Sequence, residues 1–159
     1  MKQKIICVTG AHSSCGKTWV AEMLLRNLKG HWGALKYTKT SLYSRVTDET
    51  DTAPPEKDTG RLRRAGASRV VRIESPYEGL SEAVPLAMQL LSGCEGIVAE
   101  GNSLVEFLPA DVVIFVFGKD PENLKPSARK VLEKADIRVY FPVQEGVWIQ
   151  EVKERVGFD

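Results

Sequence analysis

Gly10 to Thr18 reads GAHSSCGKT, and its last three residues, Gly16-Lys17-Thr18, form the tail of a phosphate-binding loop. The full pattern asks for glycine, four residues and then Gly-Lys-Ser/Thr. Here Ala11 takes the first position and Gly10 falls one residue early. The chemistry accounts for the residue types. Backbone N–H groups from His12 through Ser13, Ser14 and Cys15 can curl around phosphate oxygens, and Gly16 permits close approach. A helix starting at Lys17 would add the positive end of its dipole. Lys17 can reach the β- and γ-phosphates, and the Thr18 hydroxyl is a hard oxygen ligand suited to Mg²⁺. Two members of the loop read either way: His12 contacts a phosphate or lies idle, and Cys15 is a reactive thiol or packs.

Ligands of an open parallel sheet bind beyond the carboxyl ends of its strands, and this rule sorts the remaining charged residues. Glu100 ends an apolar run, where a carboxylate can hold Mg²⁺ directly or through water. Lys36 lies near the end of another run, and Lys119 and Asp120 follow a third. Asp111 begins its run and belongs to the opposite edge. Lys57, Asp58, Arg61, Arg63 and Arg64 cluster in sequence, and a helix places Lys57 and Arg61 on one face with Arg64 close by. That face either meets a second phosphorylated ligand or an acidic surface, or is solvated.

The elements that must position these groups are short apolar runs alternating with helical patterns, the mark of a parallel sheet with helices on both faces. The runs Lys4–Thr9, Gly33–Tyr37, Arg69–Ile73, Gly96–Glu100, Asp111–Phe117 and Ile137–Phe141 read as strands. Helical spacing covers Lys17–Lys29, Lys57–Ala65, Leu124–Ala135 and Val147–Val156. A further helix runs to Leu91, capped by Ser81, with Pro85 in its first turn. The polar stretch Thr38 to Glu56 is too long for a routine connection and is expected to be a lid or a mobile loop. The expected fold is a three-layer α/β P-loop domain with a mainly parallel sheet, spanning the whole chain.

Composition sets the outer bounds. The chain has 159 residues, with 22 Lys+Arg against 21 Asp+Glu, a formal net charge of +1. Nucleic-acid binders usually carry a basic surplus, so that class is set aside. The longest apolar runs fall far short of the ~20 residues needed to span a bilayer. Three cysteines without metal-ligand spacing fit a reducing compartment, hence an expected cytoplasmic location.

Three segments together resemble the molybdopterin-guanine dinucleotide biosynthesis protein B family. LKYTKT (Leu35 to Thr40) is similar to that family's lysine-ending second strand. KDTGRLRRAGAS (Lys57 to Ser68) is similar to its Lys-Asp-Ser/Thr segment, and IVAEGNSL (Ile97 to Leu104) to its Glu-Gly strand end. The chain departs from the family at Asn102 and lacks paired histidines in the polar loop; Gly118-Lys119-Asp120 is a distant substitute for the Asn-Lys-x-Asp guanine signature. The resemblance implies a GTP-binding accessory protein with weak hydrolysis, a homodimer, and molybdopterin guanylyltransferase, with its pterin, as partner. It assigns the phosphates to Gly10–Thr18, and Mg²⁺ to Thr18 with Glu100 or Asp58. Lys17, Glu100 and Asp58 become the candidate catalytic groups, with Lys36, Lys119 and Asp120 also at the nucleotide. The Gly10 register with Lys36 and Glu100-Gly101 also resembles ATP-dependent dethiobiotin synthetase. A nucleotide-gated adaptor is the third class.

Overall fold

The computed structural model describes residues 2–157. Seven strands form one sheet: β1 (Lys4–Gly10), β2 (Trp32–Lys39), β3 (Arg45–Asp48), β4 (Arg69–Ser75), β5 (Gly96–Glu100), β6 (Val112–Phe117) and β7 (Ile137–Tyr140). Their order is β3-β4-β2-β5-β1-β6-β7, and every pairing is parallel except β3 with β4. The helices are α1 (Lys17–Asn27), α2 (Asp58–Arg64), α3 (Leu80–Leu90), α4 (Pro126–Leu132) and α5 (Val147–Val156). This is a mainly parallel three-layer α/β arrangement.

Successive residues of a strand face opposite sides, and the inner strands are buried on both. Ile6, Val8, Ala34 and Val98 join the core beneath α1, α2 and α5. Ile5, Cys7, Leu35, Ile97 and Ala99 join the core beneath α3, which continues into a smaller cluster under α4 around Phe115 and Phe117. Burial pushes the Cys7 thiol up to about 12, so it packs as a small hydrophobe. Cys15 and Cys94 are also buried and free, which favours packing for Cys15 over reactivity.

The polar stretch after β2 differs most from expectation. It contains β3, an edge strand in register with β4 from Arg45 opposite Glu74 to Asp48 opposite Val71. Val46 is the one large apolar residue among Arg45, Thr47 and Asp48, so no run announces the strand. The next turn is tied down as well: the Glu49 N–H donates to the Val70 carbonyl, the Glu49 carboxylate accepts from the Thr59 hydroxyl, and it pairs with Arg72 at 3.1 Å. These contacts anchor the stretch from Arg45 onward, which therefore does not form the expected lid or mobile loop.

Helix starts shift too. A 3-10 turn at Tyr77–Gly79 leads into α3 at Leu80, so Gly79 and not Ser81 holds the cap position. Pro85 then falls in the helix interior, past the first turn. Lys57 is the extended residue before α2, and Pro126 opens α4 at the position where a missing N–H costs nothing. Among the described residues no helix is long and apolar enough to cross a membrane.

Candidate functional site

Central β1 delivers the phosphate-loop sequence to the carboxyl edge of the sheet, between the ends of β5 and β6. The loop runs from Ala11 to Gly16, and α1 starts at Lys17. Ser14 has φ 61° and Gly16 φ 113°, so the chain turns through left-handed backbone that suits glycine at position 16. The early glycine also has a physical reason. A Cβ at Gly10 would lie 2.4 Å from Cys15 Sγ and 2.8 Å from Lys17 Cγ, because the loop folds back over it. Ala11, by contrast, is fully buried in the cluster under α4, where its methyl fits.

Asn102, just past β5, clamps the loop from beneath. Its Oδ1 accepts from the Gly10 N–H at 2.9 Å and its Nδ2 donates to the Gly10 carbonyl at 3.0 Å. The Ala11 N–H donates to Val116, and the Ala11 carbonyl accepts from the Lys125 N–H. Asn102→Ala orphans a buried donor and acceptor, so unfolding free energy should fall by about 1–3 kcal/mol. Urea denaturation checks this, and an unchanged midpoint would show that the clamp is idle.

Beside the loop lies a chain of charged groups set by strand register. Glu100 on β5 is directly opposite Lys36 on β2, and both face the α1 side of the sheet. The Glu100 carboxylate is 1% exposed. It accepts from the Thr18 hydroxyl at 2.9 and 3.1 Å and pairs with Lys36 Nζ at 3.1 Å. Lys36 Nζ also lies 3.3 Å from Asp58 Oδ2 at the start of α2. Asp58 pairs in turn with Arg61 at 3.7 Å, and Arg61 reaches Glu22 on α1. The hydrogen bond that Arg61 donates to Glu22, then the charges of Glu22, Asp58 and Glu100, hold the guanidinium above its ordinary range despite partial burial. Lys36 thus balances two carboxylates at the loop's edge.

Thr18, Lys36, Asp58, Arg61 and Glu100 line a cavity of about 1060 Å³, together with Ser13, Ser14, Gly16, Lys17, Trp19, Tyr37, Lys39, Ser103, Lys125 and Ser127. Lys17, Thr18, Lys36, Asp58 and Glu100 are therefore brought together. Gly10, Ala11 and Cys15 are buried beneath the lining. His12 lies over Gly118, where a Cβ would stand 2.3 Å from its Nε2, and its Nδ1 lies 2.7 Å from the Ser13 carbonyl oxygen. Lys119 and Asp120 are exposed beyond the lining, and Asp120 accepts the Glu122 N–H of its own turn. Asp111 is at the opposite edge, accepting the Ile5 N–H.

The basic cluster is divided by the fold. Arg61 lines the cavity, whereas Arg63 donates to the Thr50 and Ala67 carbonyls and Arg64 to that of Pro55. Lys39, Lys125, Asn102, Tyr37 and Trp19 went unnoticed as site residues. For Lys125 the one available signal was the Lys-Pro pair that opens a helix.

No family model matches this chain, and no curated protein matches it. Among solved structures, a ParA family ATPase from Chlorobium tepidum TLS is similar over 99% of this chain and 82% of that chain, with 14% identity and a TM-score of 0.48.

Proposed function

We propose that this chain binds a magnesium–nucleoside triphosphate at the carboxyl edge of its sheet, with phosphoryl transfer or slow hydrolysis as its chemistry. The observation that carries the reading is the line Thr18–Glu100–Lys36–Asp58 set against a strand–loop–helix phosphate cradle in one cavity. Lys17 has a hydrocarbon stem folded against Gly10 and, among the described residues, no carboxylate within ion-pair distance, so its charge is available to a phosphate. The donor set fits magnesium, since a hydroxyl and two carboxylates are hard oxygen ligands. Among the described residues no group of three or more His, Cys, Asp or Glu could hold a metal. Phosphate oxygens must therefore complete the shell, so metal and nucleotide bind together. Bound there, the ion would neutralise charge on the transferring phosphoryl group.

The finer reading rests on the three segments that resemble the molybdopterin-guanine dinucleotide biosynthesis protein B family. On it the nucleotide is GTP, the chain works as a homodimer in the cytoplasm, and its partner is molybdopterin guanylyltransferase with its pterin. A carboxylate at Asp120 would accept from guanine N1 and N2, a pair of donors that adenine lacks. GTP is accordingly expected to displace a labelled triphosphate analogue at roughly tenfold lower concentration than ATP, one good hydrogen-bonded contact being worth about 1.4 kcal/mol. Equal displacement would remove the guanine assignment and favour the ATP-dependent, dethiobiotin-synthetase-like reading.

A further inference from the structure

The cavity has two halves, divided by the edge of the sheet. On the α1 and α2 side stand Thr18, Glu100, Lys36 and Asp58, where the strands' even-numbered residues point. On the other side, the row Leu35–Tyr37 of β2 continues to Lys39, next to the turn after β5 and the start of α4. Lys39, Lys125, Tyr37, Ser103 and Ser127, which come from these elements, line the same cavity. Among the described residues neither Lys39 nor Lys125 has a carboxylate within 4.0 Å, whereas Lys36 and Arg61 across the sheet are both paired.

The charges converge. Burial first, then the neighbouring ammonium groups of Lys17, Lys36 and Lys39, hold the Lys125 amine below the ordinary lysine range. A protein gains nothing by gathering uncompensated cations in a concave site. The arrangement costs free energy until an anion arrives, and each charge-assisted contact then returns more than a neutral one. The phosphate loop and Lys17 already serve one polyphosphate. Lys39 and Lys125 line the same cavity as the Ser103 and Ser127 hydroxyls, which are neutral donors.

We infer that the half lined by Lys39, Lys125, Ser103 and Ser127 is a second anion site, which holds the phosphate group of a small co-substrate while the triphosphate occupies the loop. The assignment deepens the nucleotide reading and rests on it, since it needs the loop half to be filled by the triphosphate. It moves the second ligand away from the α2 arginines, whose guanidinium groups are bonded within the chain.

The test uses the full chain saturated with Mg²⁺ and a non-hydrolysable triphosphate analogue, titrated with inorganic phosphate at constant ionic strength. Amide resonances of Ser103 and Ser127 are expected to shift along a saturable curve that chloride does not reproduce. Lys39→Met with Lys125→Met should weaken that curve at least tenfold, weaken analogue binding by clearly less, and be rescued by arginine at both positions. Lys39 and Lys125 are exposed residues, the Lys125 amine being partly covered, so folding is not at stake. Absence of a saturable shift, or a curve unchanged in the double variant, overturns the second site and leaves the nucleotide reading intact. An equal loss of analogue affinity also overturns it, by making both lysines part of the triphosphate site. Failure of the analogue to bind the unmodified chain is the distinct result that removes the nucleotide reading itself.

Discussion

Replacing Lys17 by alanine is expected to weaken binding of a magnesium–triphosphate by roughly ten- to a hundredfold, while unfolding free energy stays within about 0.5 kcal/mol of the unmodified chain. The two halves of the expectation have separate causes. Lys17 lines the cavity and forms no ion pair among the described residues, so folding loses no such partner when it is removed. Its backbone still opens α1, and Val20 still bonds back to Gly16. A bound phosphate, on the other hand, loses a charge-assisted contact in a concave site, where such contacts are strongest. Calorimetric titration with GTP and with ATP, paired with urea denaturation, measures both. Unchanged affinity would mean that the loop is a turn and that the lysine is a solvated helix start.

How much of this was legible in the sequence depended on burial and on chain distance. KIICVT, GIVAE and DVVIFVF were readable because strands buried on both faces must be continuously apolar. β3 was not, because an edge strand with one apolar residue, Val46, carries no such signature. The edge rule for parallel sheets placed Glu100 and Lys36 on one rim without coordinates, and strand register then made them direct neighbours. Lys125 could not be found that way. It enters the cavity from the far side of the sheet, held by a bond from its N–H to the Ala11 carbonyl more than a hundred residues away. Asn102 looked like a departure from a family pattern, yet it fixes the loop by bonding both polar groups of the Gly10 backbone. The arginines of α2 erred in the opposite direction. A run of cations reads as a free surface until the carbonyls of Thr50, Pro55 and Ala67 are seen to take Arg63 and Arg64.

The largest effect on stability should come from Lys36→Met. Glu100 is 1% exposed, and the substitution would leave its carboxylate with the Thr18 hydroxyl alone. Removing one partner of a buried ion pair costs about 3–5 kcal/mol, because the survivor stays desolvated and uncompensated. Glu100→Gln should cost less, since Lys36 keeps Asp58 at 3.3 Å and is more open to water. It will still not be neutral, contrary to what a solvated strand-end carboxylate would give. The double variant discards both charges and should recover most of the loss, so the cycle separates ion-pair coupling from packing. Magnesium supplies the sharper discrimination. In the unmodified chain the Lys36 ammonium already balances Glu100 and Asp58, so the ion alone should stabilise it little. In Lys36→Met the orphaned carboxylates are free to take a divalent cation, and millimolar Mg²⁺ should raise the melting temperature well beyond its effect on the unmodified chain. Glu100→Gln with Lys36→Met should lose that response. Thermal melts of all four proteins, with and without the ion, read the pattern directly. A magnesium response of equal size in all four would place the cation elsewhere and leave Glu100 with a structural task only.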